Sequence, residues 1–276
     1  MRITASHIVN WANTRTKESQ VSLPRWVRRL CFDPKMTRQL AFPAGDSTYV
    51  PGWDGILFSE SGNAWVPAGS SRWEIGCDQN VQSKANSDYL KRVEQTSEEE
   101  RSICTFVFVT PRRWTKKSDW IAEQLKKGEW ADIRAYDADD LEQWLEQTPA
   151  VALQFAEELG LSGWGVVGLT QYWNSWAKQC DPFITPEALF LDRSEVLDTL
   201  IEKIQATGTS SDSSRFLVLR ADSVEEAAAF SVAAVMTAGN LQDRALVVTE
   251  PDGWRYVEAN PQLQVVIAAH TETAIH

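Results

Sequence analysis

The stretch Ile103-Cys-Thr-Phe-Val-Phe-Val109 constrains this chain more than any other. It carries no charge, is rich in β-branched and aromatic residues, and is too short for a stable helix. That pattern predicts a strand buried on both faces. Such a strand needs cover on each side, which points to an α/β architecture with helices on both sides of a sheet. The downstream sequence supplies the parts. Thr110-Pro-Arg-Arg-Trp114 ends the strand, and Ser118–Lys127 reads as a helix capped by Ser118 and stopped at Gly128. Ala131–Tyr136 predicts another strand. Asp137-Ala-Asp-Asp140 then opens a helix with its acids at the N-terminus, where the dipole favours them, and Pro149 precedes a helix over Ala150–Leu159.

Upstream, Ser22–Leu30 predicts a helix with Pro24 near its start and Leu23, Trp26, Val27 and Leu30 on one face. Residues 42–70 are rich in Gly, Pro and Ser, which predicts short strands and turns, including a strand at Gly55–Ser59. Ser71–Gly76 predicts the next strand, Val81–Val93 a polar helix, and Glu98-Glu99-Glu100 a solvated loop. A first domain over residues 1–160 follows, a mixed sheet flanked by helices. Residues 161–170 read as a linker, and 171–276 as a second, partial α/β domain. In that second part helices are expected at 172–179, Arg193–Ile204 and Val224–Met236, with a flexible loop at 207–214. Buried strands are expected at Phe216–Leu219, Ala245–Thr249 and Val265–Ala269. It reads as a domain cut short, so further C-terminal domains or a homo-oligomer are expected partners.

Composition excludes several chemistries. The four cysteines lack zinc spacing and disulfide density, which favours a reducing cytoplasm. With only His7, His270 and His276, histidine-based nucleophilic or metal sites are disfavoured. No apolar run is long enough for a membrane span, and the N-terminus lacks a signal-peptide pattern, so no membrane partner is expected. A formal charge of −11 argues against nucleic acid, but it is uneven. Residues 1–127 hold 19 basic and 14 acidic residues, and residues 128–276 hold 8 and 24. The thirteen tryptophans read mostly as core.

Carboxylates, lysines and a hard cation are the tools that remain. Pro51-Gly-Trp-Asp54-Gly55 is followed by Trp73-Glu74-Ile-Gly76 and then by Lys84. A carboxylate at the start of one strand and another on its neighbour suit Mg2+ (or Mn2+), which prefers oxygen ligands and keeps several waters. Such an ion lowers the pKa of a bound water and steadies charge growing on a phosphate. A nearby lysine orients the nucleophile or stabilises the pentacovalent phosphorus.

In the order of these elements, residues 20–155 resemble the PD-(D/E)XK nuclease superfamily, particularly its Mrr-like restriction endonuclease branch. Asp54 matches the first acid, Glu74 the second, and Thr110 the end of the buried strand; Tyr136–Leu141 is similar to the closing strand and helix. The chain departs at one position: Gly76 stands where the motif has lysine. Some members supply the lysine from the following helix, which makes Lys84 the candidate and Lys91 the second choice. The resemblance implies a restriction endonuclease-like fold and a metal-dependent DNA endonuclease. It also implies the effector domain of a bacterial antiphage or restriction protein. Arg112, Arg113, Lys116, Lys117 and Lys91 are the candidate DNA-phosphate contacts.

Each residue has a plainer reading. Asp54 is equally a turn residue capping a backbone N–H. Glu74 is equally the outward residue of an edge strand, Lys84 a surface lysine, and Arg112–Lys117 a solvated loop. A catalytically inactive nuclease-like module for DNA binding or assembly is the alternative function. Two further motifs are set aside. Gly163-Trp-Gly165-Val-Val-Gly168 spells GxGxxG but lacks a preceding strand. Asp192–Glu195, with the helix, loop and strand after it, resembles the entry to a STAND-type P-loop module. Arg220–Ala227 stands where GxxxxGK[ST] belongs, without its glycines or lysine, so a degenerate interaction module is expected.

Overall fold

The computed structural model describes residues 3–45, 52–161, 165–206, 216–239 and 241–270. The expected loop at 207–214, and Pro51, Gly163, Trp164 and His276, lie outside the described residues. Two compact units divide between Gln147 and Thr148.

The N-terminal unit runs α1 (Ala5–Thr14), α2 (Thr16–Cys31), β1 (Thr37–Ala41), β2 (Gly55–Ser59), β3 (Gly69–Ile75), α3 (Val81–Gln95) and α4 (Glu98–Arg101). It continues through β4 (Cys104–Val109), α5 (Lys117–Lys127), β5 (Asp132–Tyr136) and α6 (Ala138–Glu146). The strands form one mixed sheet in the order β1-β2-β3-β4-β5. β1, β2 and β3 pair antiparallel, and β3, β4 and β5 pair parallel.

All six residues of β4 are buried, as its sequence requires, but Ile103, expected to open the buried strand, lies outside it and is exposed. Period-two alternation sends Phe106 and Phe108 to one face, where Tyr89 of α3, Trp120 of α5 and Trp114 pack around them. Trp73 of β3 faces the opposite way, against Tyr136 and Trp144 of α6. The parallel register pairs Trp73 with Val107 and Glu74 with Phe108, so Glu74 belongs to the α3 face.

Several elements differ from expectation. Helix α2 starts at Thr16 and runs through Pro24, which is buried inside it; the apolar stripe at Leu23, Trp26, Val27 and Leu30 is buried as expected. The Glu98–Glu100 run forms the short helix α4, with Ser97 accepting from the Glu100 N–H. Two elements give little sequence signal: α1, and the polar edge strand β1.

The C-terminal unit holds α7 (Pro149–Glu158), β6 (Val166–Val167), α8 (Leu169–Ala177), α9 (Pro186–Phe190), α10 (Ser194–Ala206), α11 (Val224–Ala238), β7 (Ala245–Val248), α12 (Gly253–Glu258) and β8 (Val265–Ala268). Its three strands form a second sheet in the order β6-β7-β8. Helix α7 packs here, with Leu153 clustered against Val166, Leu246 and Val248. Within the expected linker, Val166 and Val167 pair with β7. The Ala-rich α11 buries Ala228–Phe230 and Val232–Val235 against α8 and β7. Phe216–Leu219, expected as a strand, forms none: among the described residues no neighbour pairs with it, and Phe216 and Val218 are exposed.

The unit boundary also redraws the charge map. Up to Gln147 there are 20 basic and 21 acidic residues, because the acids of β5 and α6 belong to this unit. From Thr148 onward there are 7 basic and 17 acidic residues, so the excess negative charge is a property of the C-terminal unit.

Asp137 ties the post-β4 loop to α6. It caps α6, accepts the Trp114 N–H at 3.0 Å and pairs with Lys117 at 2.9 Å. Replacing Asp137 with Ala removes the cap and strands a buried N–H, so we expect a loss of about 2–4 kcal/mol in urea denaturation. A loss under 0.5 kcal/mol would show that this junction is not a structural anchor.

Candidate active site

Continuing the β2–β3 register, in which Gly55 pairs with Trp73, sets Asp54 opposite Glu74 just past the end of the ladder. Asp54 Oδ2 accepts the Ile75 N–H at 2.8 Å. Its turn-capping reading is therefore correct as far as it goes, and the same bond fixes the carboxylate beside Glu74. The edge-strand reading of Glu74 does not hold: β3 is interior to the sheet, and Glu74 is 3% exposed.

Helix α3 supplies the rest of the cluster. Lys84, Asp88 and Arg92 recur at intervals of four and share one helical face. Lys84 Nζ donates to Asp88 Oδ1 at 2.8 Å. Arg92, 5% exposed, donates through Nε to Glu74 Oε1 and through its terminal nitrogen to the Gly52 carbonyl. Its guanidinium lies 4.4 Å from the Trp53 ring centroid.

Gly76 explains how a lysine from α3 reaches this place. A Cβ built at position 76 would lie 2.7 Å from Phe108 Cζ and 2.8 Å from Lys84 Cγ. The Lys84 stem thus runs through the space that a side chain at position 76 would need. Glycine at position 76 and lysine at position 84 are two halves of one packing arrangement.

The electrostatics follow from burial. Burial, then the neighbouring Asp54, push the Glu74 carboxyl up to about 8 against the pull of Arg92. Burial also raises Asp54, with Asp88 adding to it and the Ile75 N–H, Lys84 and Arg92 opposing. For Lys84 burial works downward, but its hydrogen bond and charge pairing with Asp88 outweigh it and the amine is raised.

Once Glu74 ionises, towards pH 8, three carboxylates face two cations and leave one formal negative charge in excess; below that the Glu74 proton balances the cluster. One buried oxygen, Asp88 Oδ2, has no hydrogen-bond partner among the described residues. The cluster therefore has unmet demand for positive charge, which a divalent cation fits. Among the described residues no three Asp, Glu, His or Cys side chains converge tightly enough to enclose an ion. Asp54 and Glu74 would therefore hold one jointly with water, as suits Mg2+.

The candidate phosphate contacts divide in two. Arg112, 7% exposed, spends its guanidinium on the carbonyls of Cys77 and Ala12 and on Asn13, and Lys117 is held by Asp137 and Asp140. Both brace the fold. Lys91, Arg113 and Lys116 are exposed, although Arg113 pairs with Asp139 at 3.2 Å. Arg113 and Lys116, in the loop after β4, line an open trough of about 500 Å³ with Gln79–Gln82 at the entry to α3.

Sequence reasoning missed Asp88 and Arg92 because buried polar residues on a polar helix resemble surface. The available signal was their four-residue spacing from Lys84. No family model, curated protein or solved structure matches this chain.

Two outcomes follow. Gly76→Ala should lose about 1–3 kcal/mol by overpacking against Phe108 and Lys84; an unchanged urea midpoint would show that the close approach is not real. Because a cation must displace the Glu74 proton, Mn2+ affinity by calorimetry should rise by up to about tenfold per pH unit as pH approaches 8, then level off. A flat profile between pH 6 and 8 would contradict this electrostatic account.

Proposed function

We propose that the N-terminal unit is a restriction endonuclease-like domain acting as a metal-dependent DNA endonuclease. The observation that carries this reading is the Lys84 stem packed in the space left by Gly76, with its amine held by Asp88 and acting electrostatically on Asp54 and Glu74. Asp54 and Glu74 would hold Mg2+ or Mn2+, which when bound activates water and offsets charge on the phosphate. Hydrolysis adds water across a P–O bond: the attacking water gives up a proton and the leaving oxygen gains one. Lys84, protonated and half-buried, donates hydrogen bonds to the attacking water or to a non-bridging phosphate oxygen as negative charge develops. Arg92 holds Glu74 in place by stacking on Trp53 and bonding to the Gly52 carbonyl. Lys91, Arg113 and Lys116 supply phosphate contacts on the exposed surface.

The resemblance extends this to the effector part of a bacterial antiphage or restriction protein working in the cytoplasm. The C-terminal unit is then a degenerate P-loop-like interaction module. The first turn of α11, where such a module would cradle phosphate, carries Glu225 and Glu226, and Glu226 pairs with Arg193 at 2.7 Å. Among the described residues no helix is long and apolar enough to cross a membrane.

One observation favours a second reading, a catalytically silent module that binds DNA or assembles with other domains. Glu74 is already engaged by a buried arginine, which supplies part of the charge a metal would.

Plasmid DNA incubated with Mg2+ or Mn2+ separates the two. Wild type should nick or linearise it, while Asp54→Ala, Glu74→Ala and Lys84→Gln each lose at least about 100-fold in rate. Equal cleavage by all four proteins would remove the proposed site, and binding without cleavage by wild type would support the silent module.

A further inference from the structure

We infer that Asp88 is the positioning residue of this site, the group that fixes where the Lys84 amine stands; the inference rests on the nuclease reading. A lysine side chain is a flexible four-carbon stem, and from α3 it could sweep a wide arc. Two contacts remove that freedom here. The stem passes Gly76 at its Cγ, where a Cβ on residue 76 would meet both it and Phe108, and the tip is held at 2.8 Å by Asp88 Oδ1.

The burial of the pair argues for position over stability. An i,i+4 pair on the exposed side of α3 would support the helix equally well without desolvating a carboxylate. Asp88 instead lies 5% exposed, with one oxygen on Lys84 and the other unpartnered among the described residues. The groups that face the amine electrostatically are Asp88 and Asp78 together with Glu74 of β3, and Lys84 in turn acts on Asp54. Asp88 therefore restrains a cation at the edge of the Asp54–Glu74 pair. A lysine at position 76 itself would stand on the strand next to Glu74 and would need no such restraint. Asp88 is thus the companion that moving the lysine to the helix requires.

The test uses the full chain with Asp88→Asn, which keeps the shape of the side chain, together with Lys84→Gln and the double variant. Lysine side-chain NMR (13Cε and 15Nζ) should show a restrained Lys84 signal in wild type, absent in Lys84→Gln. In Asp88→Asn that signal should merge with those of mobile lysines while the backbone spectrum is retained. In plasmid cleavage Asp88→Asn should lower kcat by about 100-fold with little change in KM for DNA. The double variant should be no slower than Lys84→Gln alone, since Asp88 acts through Lys84. An unmoved Lys84 signal in Asp88→Asn would overturn the proposal, as would losses that multiply in the double variant. So would a matching loss of Mn2+ affinity, which would make Asp88 a cation ligand instead. If wild type leaves DNA intact with either metal while the Lys84 signal still collapses in Asp88→Asn, the nuclease reading fails and the positioning role stands.

Discussion

A strand covered by helices on both faces cannot turn a carboxylate toward water, and β3 carries one. Trp73 and Glu74 are adjacent, so the pleat must send them to opposite faces. The large aromatic takes the face lined by Tyr136 and Trp144, leaving Glu74 against α3. Much of the candidate site follows from that placement. A buried carboxylate needs partners, and α3 provides Arg92 directly and the Lys84–Asp88 pair beside it. Asp54, set opposite by the hairpin register, adds a further charge and tips the balance negative. With Glu74 ionised, the site is thus an electrostatic imbalance held by a rigid sheet.

The same logic sorts the arginines and lysines. Those close to β4 in sequence look alike as letters, yet they divide sharply in the fold. Arg112 joins the α1 end to the Cys77 carbonyl, and Lys117 joins α5 to α6, so both are structural cations. Arg113 and Lys116 remain on the surface. Net charge is a similarly blunt instrument. The +5 of residues 1–127 depended on a cut just ahead of the acids of β5 and α6. Measured to the unit boundary the N-terminal part is nearly neutral, so any affinity for DNA must come from local placement of cations.

What the sequence made legible was the part governed by local rules. The uncharged, fully buried β4, the Gly128 stop in the left-handed conformation and the Asp137 cap are each written in a few adjacent residues. So were Asp54, Glu74 and Lys84 as a set. Helix α1 and strand β1 were opaque, since β1 is a polar edge whose pairing with β2 is a tertiary matter. Asp88 and Arg92 were hidden because burial of a charged residue is decided by what packs over it. Phe216–Leu219 failed in the opposite sense: a strong strand pattern that finds no partner strand among the described residues forms no strand.

The central claim is that the Asp54–Glu74 pair takes up a divalent cation. A crystal grown above pH 8 and soaked in Mn2+ tests it directly through anomalous scattering. The account predicts one strong peak between the Asp54 and Glu74 carboxylates, with Lys84 still held by Asp88. A cleft without a peak at saturating Mn2+, with Arg92 unchanged on Glu74, would contradict it.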